Sequence, residues 1–120
     1  MKIMILEDNM TSAELFENIC LEVYPDATVQ RFLDPDIFMM AIHGFEPDVV
    51  LLDNDLSHHE KTGLDVAKAI KDIGKFVRVV SVSGDIHHSY YVPKYYHAYA
   101  GKRLEVLEDV LKKYKKQGVK

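Results

Sequence analysis

"DVVLLDNDLSHHEKTG", residues 48–63, decides the reading of this chain. Val49, Val50, Leu51 and Leu52 form an apolar run with no polar alternation, the pattern of a strand buried on both faces, and it ends on Asp53 and Asp55. Around it, β-rich runs alternate with segments of helical spacing. The segment 2–6 reads as a strand. A helix is predicted over 11–24, with Thr11 or Ser12 as cap, Leu15, Ile19 and Val23 inward, and Pro25 after its end. A strand over 27–32 and a helix over 34–45 follow, and after the central strand a helix over 62–74 and a strand over 76–83. The run 85–96 is ambiguous, since Pro93 would interrupt a helix there. A fifth strand over 97–101 and a helix over 103–116 complete the order. Crossovers of this length imply α/β architecture, a doubly wound five-stranded parallel sheet with helices on both faces.

The 120 residues, nearly half apolar, suit one domain spanning 1–120. No run is long enough to cross a bilayer, and the N-terminal "MKIMILEDN" meets acids too early for a signal peptide. A cytoplasmic protein without a membrane partner is expected. The single Cys20 excludes an internal disulfide and reads as a core residue. A net charge of −4 argues against nucleic acid as a partner, and the basic tail reads as the solvated end of the last helix.

In doubly wound sheets, ligands bind beyond the carboxyl ends of the strands. Glu7 and Asp8 follow strand one, Asp53 and Asp55 strand three, Ser83, Gly84 and Asp85 strand four, and Lys102 strand five. Carboxylates crowded together repel. A hard divalent cation removes that conflict, and oxygen ligands in an open site suit Mg²⁺. A lysine and a hydroxyl beside them suit a phosphoryl group. Asp53, at the centre of the sheet, is the best candidate nucleophile.

These residues carry a resemblance over essentially the whole chain. The acidic pair in "ILEDN", Asp53 in "VVLLDNDL", Ser83 in "VVSVSGD" and Lys102 in "AYAGK" resemble the response-regulator receiver domains of two-component signalling, which have a flavodoxin-like (βα)5 fold. The resemblance implies that Asp53 accepts a phosphoryl group from a histidine kinase or histidine phosphotransfer protein. It implies that Mg²⁺ is held by Glu7, Asp8, Asp53 and the backbone carbonyl of Asp55. Ser83 and Lys102 would engage the phosphoryl oxygens, and Tyr99 would be the switch aromatic that follows Ser83. The expected role is a stand-alone regulator that phosphorylates itself, hydrolyses the product slowly and signals by binding a downstream protein. A homodimer is left open.

The chain also departs from the family. Ser57 stands where a proline is frequent, the loop 53–63 is longer than usual, the segment 83–102 is shorter, and Arg103 replaces the proline after Lys102. The loops carry His58 and His59, and His87 and His88 beside Asp85. The simpler reading makes these exposed loop residues. The sharper one makes them accessory groups in a receiver-derived phosphohydrolase of the cyclic-phosphate type, which has a similar "LDxDL" strand end. A third reading is a degenerate receiver acting as a constitutive interaction module. The tyrosines at 90, 91, 95, 96 and 99 are expected to pack over the short segment with their hydroxyls in water.

Overall fold

The computed structural model describes residues 1–57, 59–84 and 91–119. The elements run β1 (Lys2–Leu6), α1 (Met10–Val23), β2 (Thr28–Phe32), α2 (Pro35–Phe45), β3 (Val49–Leu52), α3 (Gly63–Ile73), β4 (Arg78–Ser81), β5 (Ala98–Tyr99) and α4 (Leu104–Lys116). All strand pairs are parallel, in the order β2-β1-β3-β4-β5. The predicted doubly wound sheet is therefore present. Among the described residues it carries four helices, one fewer than a (βα)5 chain. Between β4 and β5, residues 91–97 form turns, with the amides of Tyr95 and Tyr96 both donating to the Val92 carbonyl. Pro93 lacks an amide hydrogen and sits inside that segment.

Strand alternation sorts the core into two layers. Ile3, Ile5, Val49, Leu51, Val80 and Val82 face α1 and α4, where they meet Phe16, Cys20 and Leu107. Met4, Leu6, Val50, Leu52 and Val79 face the other way, onto Phe38, Ile42, Val66 and Ile70 of α2 and α3. All four β3 residues are buried, as a central strand requires.

Three local expectations are corrected. Asn9, not Thr11 or Ser12, caps α1, its side chain accepting from the Ser12 amide at 2.9 Å. The buried face of α1 is Ala13, Phe16, Cys20 and Val23, while Leu15 is 43% exposed. A stripe spaced three and four apart stays on one side of the helix, whereas Leu15, one residue before Phe16, lies about 100° off it. Tyr96 is buried and its hydroxyl has no partner among the described residues, so that hydroxyl does not reach water. Burial pushes its pKa well above the usual tyrosine value.

Candidate functional site

The strand order reverses between β1 and β3, which lie side by side with Leu6 paired to Leu52. One step further along each strand stand Glu7 and Asp53. The amide of Asp53 continues the ladder, donating to the Leu6 carbonyl at 2.9 Å. Both residues continue the odd-numbered face of their strands, so their side chains point toward α1 and α4. Two strand ends and one period-two rule thus bring together carboxylates separated by 45 intervening residues.

Glu7 is 1% exposed and Asp53 4%. Lys102, in the loop between β5 and α4, compensates them. Its Nζ lies 2.7 and 2.8 Å from the two Glu7 oxygens and 3.5 Å from Asp53 Oδ2. Its charge also stands 5.5 Å from the Phe16 ring centroid, within cation–π reach. One ammonium does not fully offset two buried carboxylates. Burial, with a hydrogen bond to Asp53, pushes the Glu7 carboxyl up to about 8, although Lys102 pulls the other way.

Asp8 completes the cluster. Glu7, Asp8 and Asp53 each offer a carboxylate oxygen within 4.8 Å of the others. The donor set is all oxygen and over-rich in negative charge, the chemistry that a hard divalent cation satisfies. Asp8 is held by a bond that sequence reading missed: the backbone amide of Ser57 donates to its Oδ2 at 2.7 Å. A proline, frequent at this place in the resembled family, has no hydrogen to give.

The cleft over the cluster, about 380 Å³, is also lined by Asp55, Ser57, Ser83 and Gly84. Ser83 is buried beyond β4, and the Tyr99 hydroxyl donates to its carbonyl at 3.3 Å. Tyr99 therefore lies behind Ser83, half-buried, not in the cleft itself. Asp55 is exposed, and its side chain is not in the carboxylate cluster. His59 is exposed in an adjoining cleft with Asp8, Asn9, Leu33 and Ser57. His58, Asp85, His87 and His88 lie outside the described residues.

Two further residues position Asp53 and were not singled out from the sequence. Asn54, 7% exposed, accepts from the Leu64 amide through Oδ1 at 3.0 Å and from the Gly63 amide through its carbonyl at 3.3 Å. Gly63 brings the first turn of α3 onto the Asp53 backbone so closely that an ideal Cβ there would stand 2.3 Å from the Asp53 carbonyl oxygen. A capping box of Thr62 and Asp65 fixes the same turn. That Thr-x-x-Asp signal was readable in "TGLD".

No family model and no curated protein matches the chain. Solved structures do. The signal receiver domain of a DNA-binding response regulator from Colwellia psychrerythraea 34H has 23% identity and a TM-score of 0.83, over 97% of this chain and 98% of that one. The N-terminal domain of a response regulator/sensory box/GGDEF protein from Carboxydothermus hydrogenoformans has 26% identity and a TM-score of 0.74, over 98% and 99%. The phosphorylated cyanobacterial phytochrome response regulator RcpA has 25% identity and a TM-score of 0.72, over 96% and 91%. With its sheet order, its switch-point cleft and these neighbours, this chain has the fold of a response-regulator receiver domain.

Proposed function

We propose that this chain is a signalling switch that takes a phosphoryl group on Asp53 from a phosphohistidine of a kinase or phosphotransfer protein. One observation carries the reading: Glu7, Asp8 and Asp53 share a cluster within 4.8 Å, with the Lys102 ammonium 3.5 Å from the Asp53 carboxylate. In the transfer, an Asp53 oxygen attacks phosphorus, the O–P bond forms, and the P–N bond to the donor imidazole breaks. The imidazole leaves with the electron pair of that bond. Lys102 draws the Asp53 carboxylate into position and then faces the added phosphoryl oxygens, while the Ser83 hydroxyl offers them a donor. Glu7, Asp8 and Asp53 would hold Mg²⁺, joined by the Asp55 backbone carbonyl. When bound, the ion supplies positive charge against the negative charge of the transferring group. The Tyr99 hydroxyl on the Ser83 carbonyl links that donor to the β5 edge, where a shift at Ser83 reaches the surface.

Intact mass after incubation with acetyl phosphate and Mg²⁺ tests this. The wild type is expected to gain one phosphoryl group, and Asp53→Asn or an EDTA-treated sample none. If neither an adduct nor released inorganic phosphate appears, the reading falls and a constitutive interaction module takes its place. Turnover of phosphoesters that needs the loop histidines would favour the hydrolase instead.

The Ser57 amide gives a second expectation. Ser57→Pro removes the backbone amide that donates to Asp8 Oδ2. Loss of an outer-shell hydrogen bond of this kind typically costs about 10–100-fold in metal affinity. Ser57→Pro is therefore expected to weaken Mg²⁺ binding by about tenfold, and Ser57→Ala, which keeps the amide, to leave it near wild type. Isothermal titration with Mg²⁺ checks both.

A further inference from the structure

Away from the acidic cleft, positive charge gathers around one ring. Lys68 and Lys71 of α3 and Lys94 of the turn 91–97 place their ammonium groups 5.6, 5.4 and 5.5 Å from the Tyr95 ring centroid. The Lys71 ammonium also donates to the Lys94 carbonyl at 3.4 Å, which ties the turn to the helix. The ring quadrupole attracts each cation, but the three lie on the scale of one Debye length from each other and repel. Among the described residues none of the three pairs with a carboxylate, although the chain carries a net charge of −4. Neighbouring Lys75 differs: it is neutralised by Glu46 at 3.0 Å.

Beside the lysines runs an open cleft of about 290 Å³, floored by Ala67, Ile70 and Val79. Phe76 stands on its rim, 72% exposed. A free inorganic anion would use the lysines and nothing of the apolar floor. An apolar ligand would leave three cations unanswered. A ligand that carries both features satisfies the whole face.

We propose that the face formed by α3 and the turn 91–97 docks an acidic segment of a partner protein. Its carboxylates lie on Lys68, Lys71 and Lys94, and an apolar side chain enters the cleft against Phe76. This surface makes no use of Asp53, so its success or failure is independent of the phosphoryl-acceptor reading.

Fluorescence anisotropy with the labelled peptide EEEELEEEE at low salt tests it. Saturable binding is expected. It should weaken at least tenfold in Lys71→Glu/Lys94→Glu, and several-fold in Phe76→Ser or when the peptide's leucine becomes glycine. It should be unchanged in Asp53→Asn and in Lys113→Glu/Lys116→Glu, which reverses two exposed lysines of α4. Circular dichroism of each variant confirms folding. Absence of saturable binding overturns the proposal, as does an equal loss in the α4 variant. So does tighter binding of ATP or of an RNA oligonucleotide to the same lysines, which would reassign the face to a phosphate ligand.

Discussion

Gly63→Ala is expected to destabilise the protein by about 1–3 kcal/mol, the usual range of overpacking, and toward its upper end because the contacts are backbone. The added methyl would meet the Asp53 carbonyl oxygen at 2.3 Å, the Asp53 carbonyl carbon at 2.8 Å and the Asn54 Cα at 3.0 Å. All three are backbone atoms, so no rotamer change relieves the clash. Either α3 lifts, breaking the Gly63 and Leu64 bonds to Asn54, or the end of β3 moves and carries Asp53 out of register with Glu7. Urea denaturation measures the loss. Gly44→Ala is the control: nothing lies within 4 Å of its Cβ position, and it sits inside α2. There the exchange should be neutral or stabilise by up to about 1 kcal/mol. Equal stabilities for the two variants would refute the close approach at Gly63.

Hydrophobic period read the sheet well because each strand is short and bounded by turn residues or acids. The uniform burial of Val49–Leu52 follows from an apolar run too short for a helix. β1 is as expected, but β4 and β5 are shorter at both ends than the expected 76–83 and 97–101, and at their starts the reason is physical. Phe76 reads as a β-former but stacks outward, 4.8 Å from the Arg78 guanidinium and 5.4 Å from the His97 ring, instead of pairing in the sheet. His97 likewise turns its Nδ1 to the Val79 amide, at 3.0 Å, and closes the strand edge with a side chain. Propensity cannot see a side chain that replaces a ladder bond.

The site was legible where side-chain chemistry is concentrated at strand ends, as with Glu7, Asp8, Asp53, Ser83 and Lys102. What escaped was backbone work. Gly63, the Ser57 amide and the Asn54 carbonyl act through main-chain atoms or through the absence of a side chain. Residue type carries little signal for such roles. The Asn54 side chain meets the first turn of α3, a contact that only the fold brings about. The pairing of Lys102 with both Glu7 oxygens also had no sequence signal, since the resemblance assigned that lysine to a phosphoryl group.

Metal-free protein is expected to lose stability as pH rises from about 4.5 to 8, through Glu7. Its carboxyl is raised from the ordinary 4.5 to about 8, first by burial and then by Asp53, against the pull of Lys102. Between those two values the folded state keeps a proton that the unfolded chain releases. The unfolded state binds fewer protons there, so unfolding free energy falls with pH, by at most about 1.4 kcal/mol per unit from this group. The contribution is fully present below 4.5 and is lost as pH passes through about 8. Urea denaturation in EDTA at several values from pH 5 to 8.5 reads the slope, and Glu7→Gln isolates it from the six histidines. The glutamine keeps the neutral shape, so its profile should be flatter and the variant should be the more stable protein at pH 8. A divalent cation acts in the opposite sense, because it favours ionised ligands. Saturating Mg²⁺ should therefore stabilise the wild type more at pH 8 than at pH 6, and Glu7→Gln less than wild type at either. Parallel pH profiles for wild type and Glu7→Gln in EDTA would mean that Glu7 is ionised throughout, with Lys102 alone sufficient to hold both buried carboxylates.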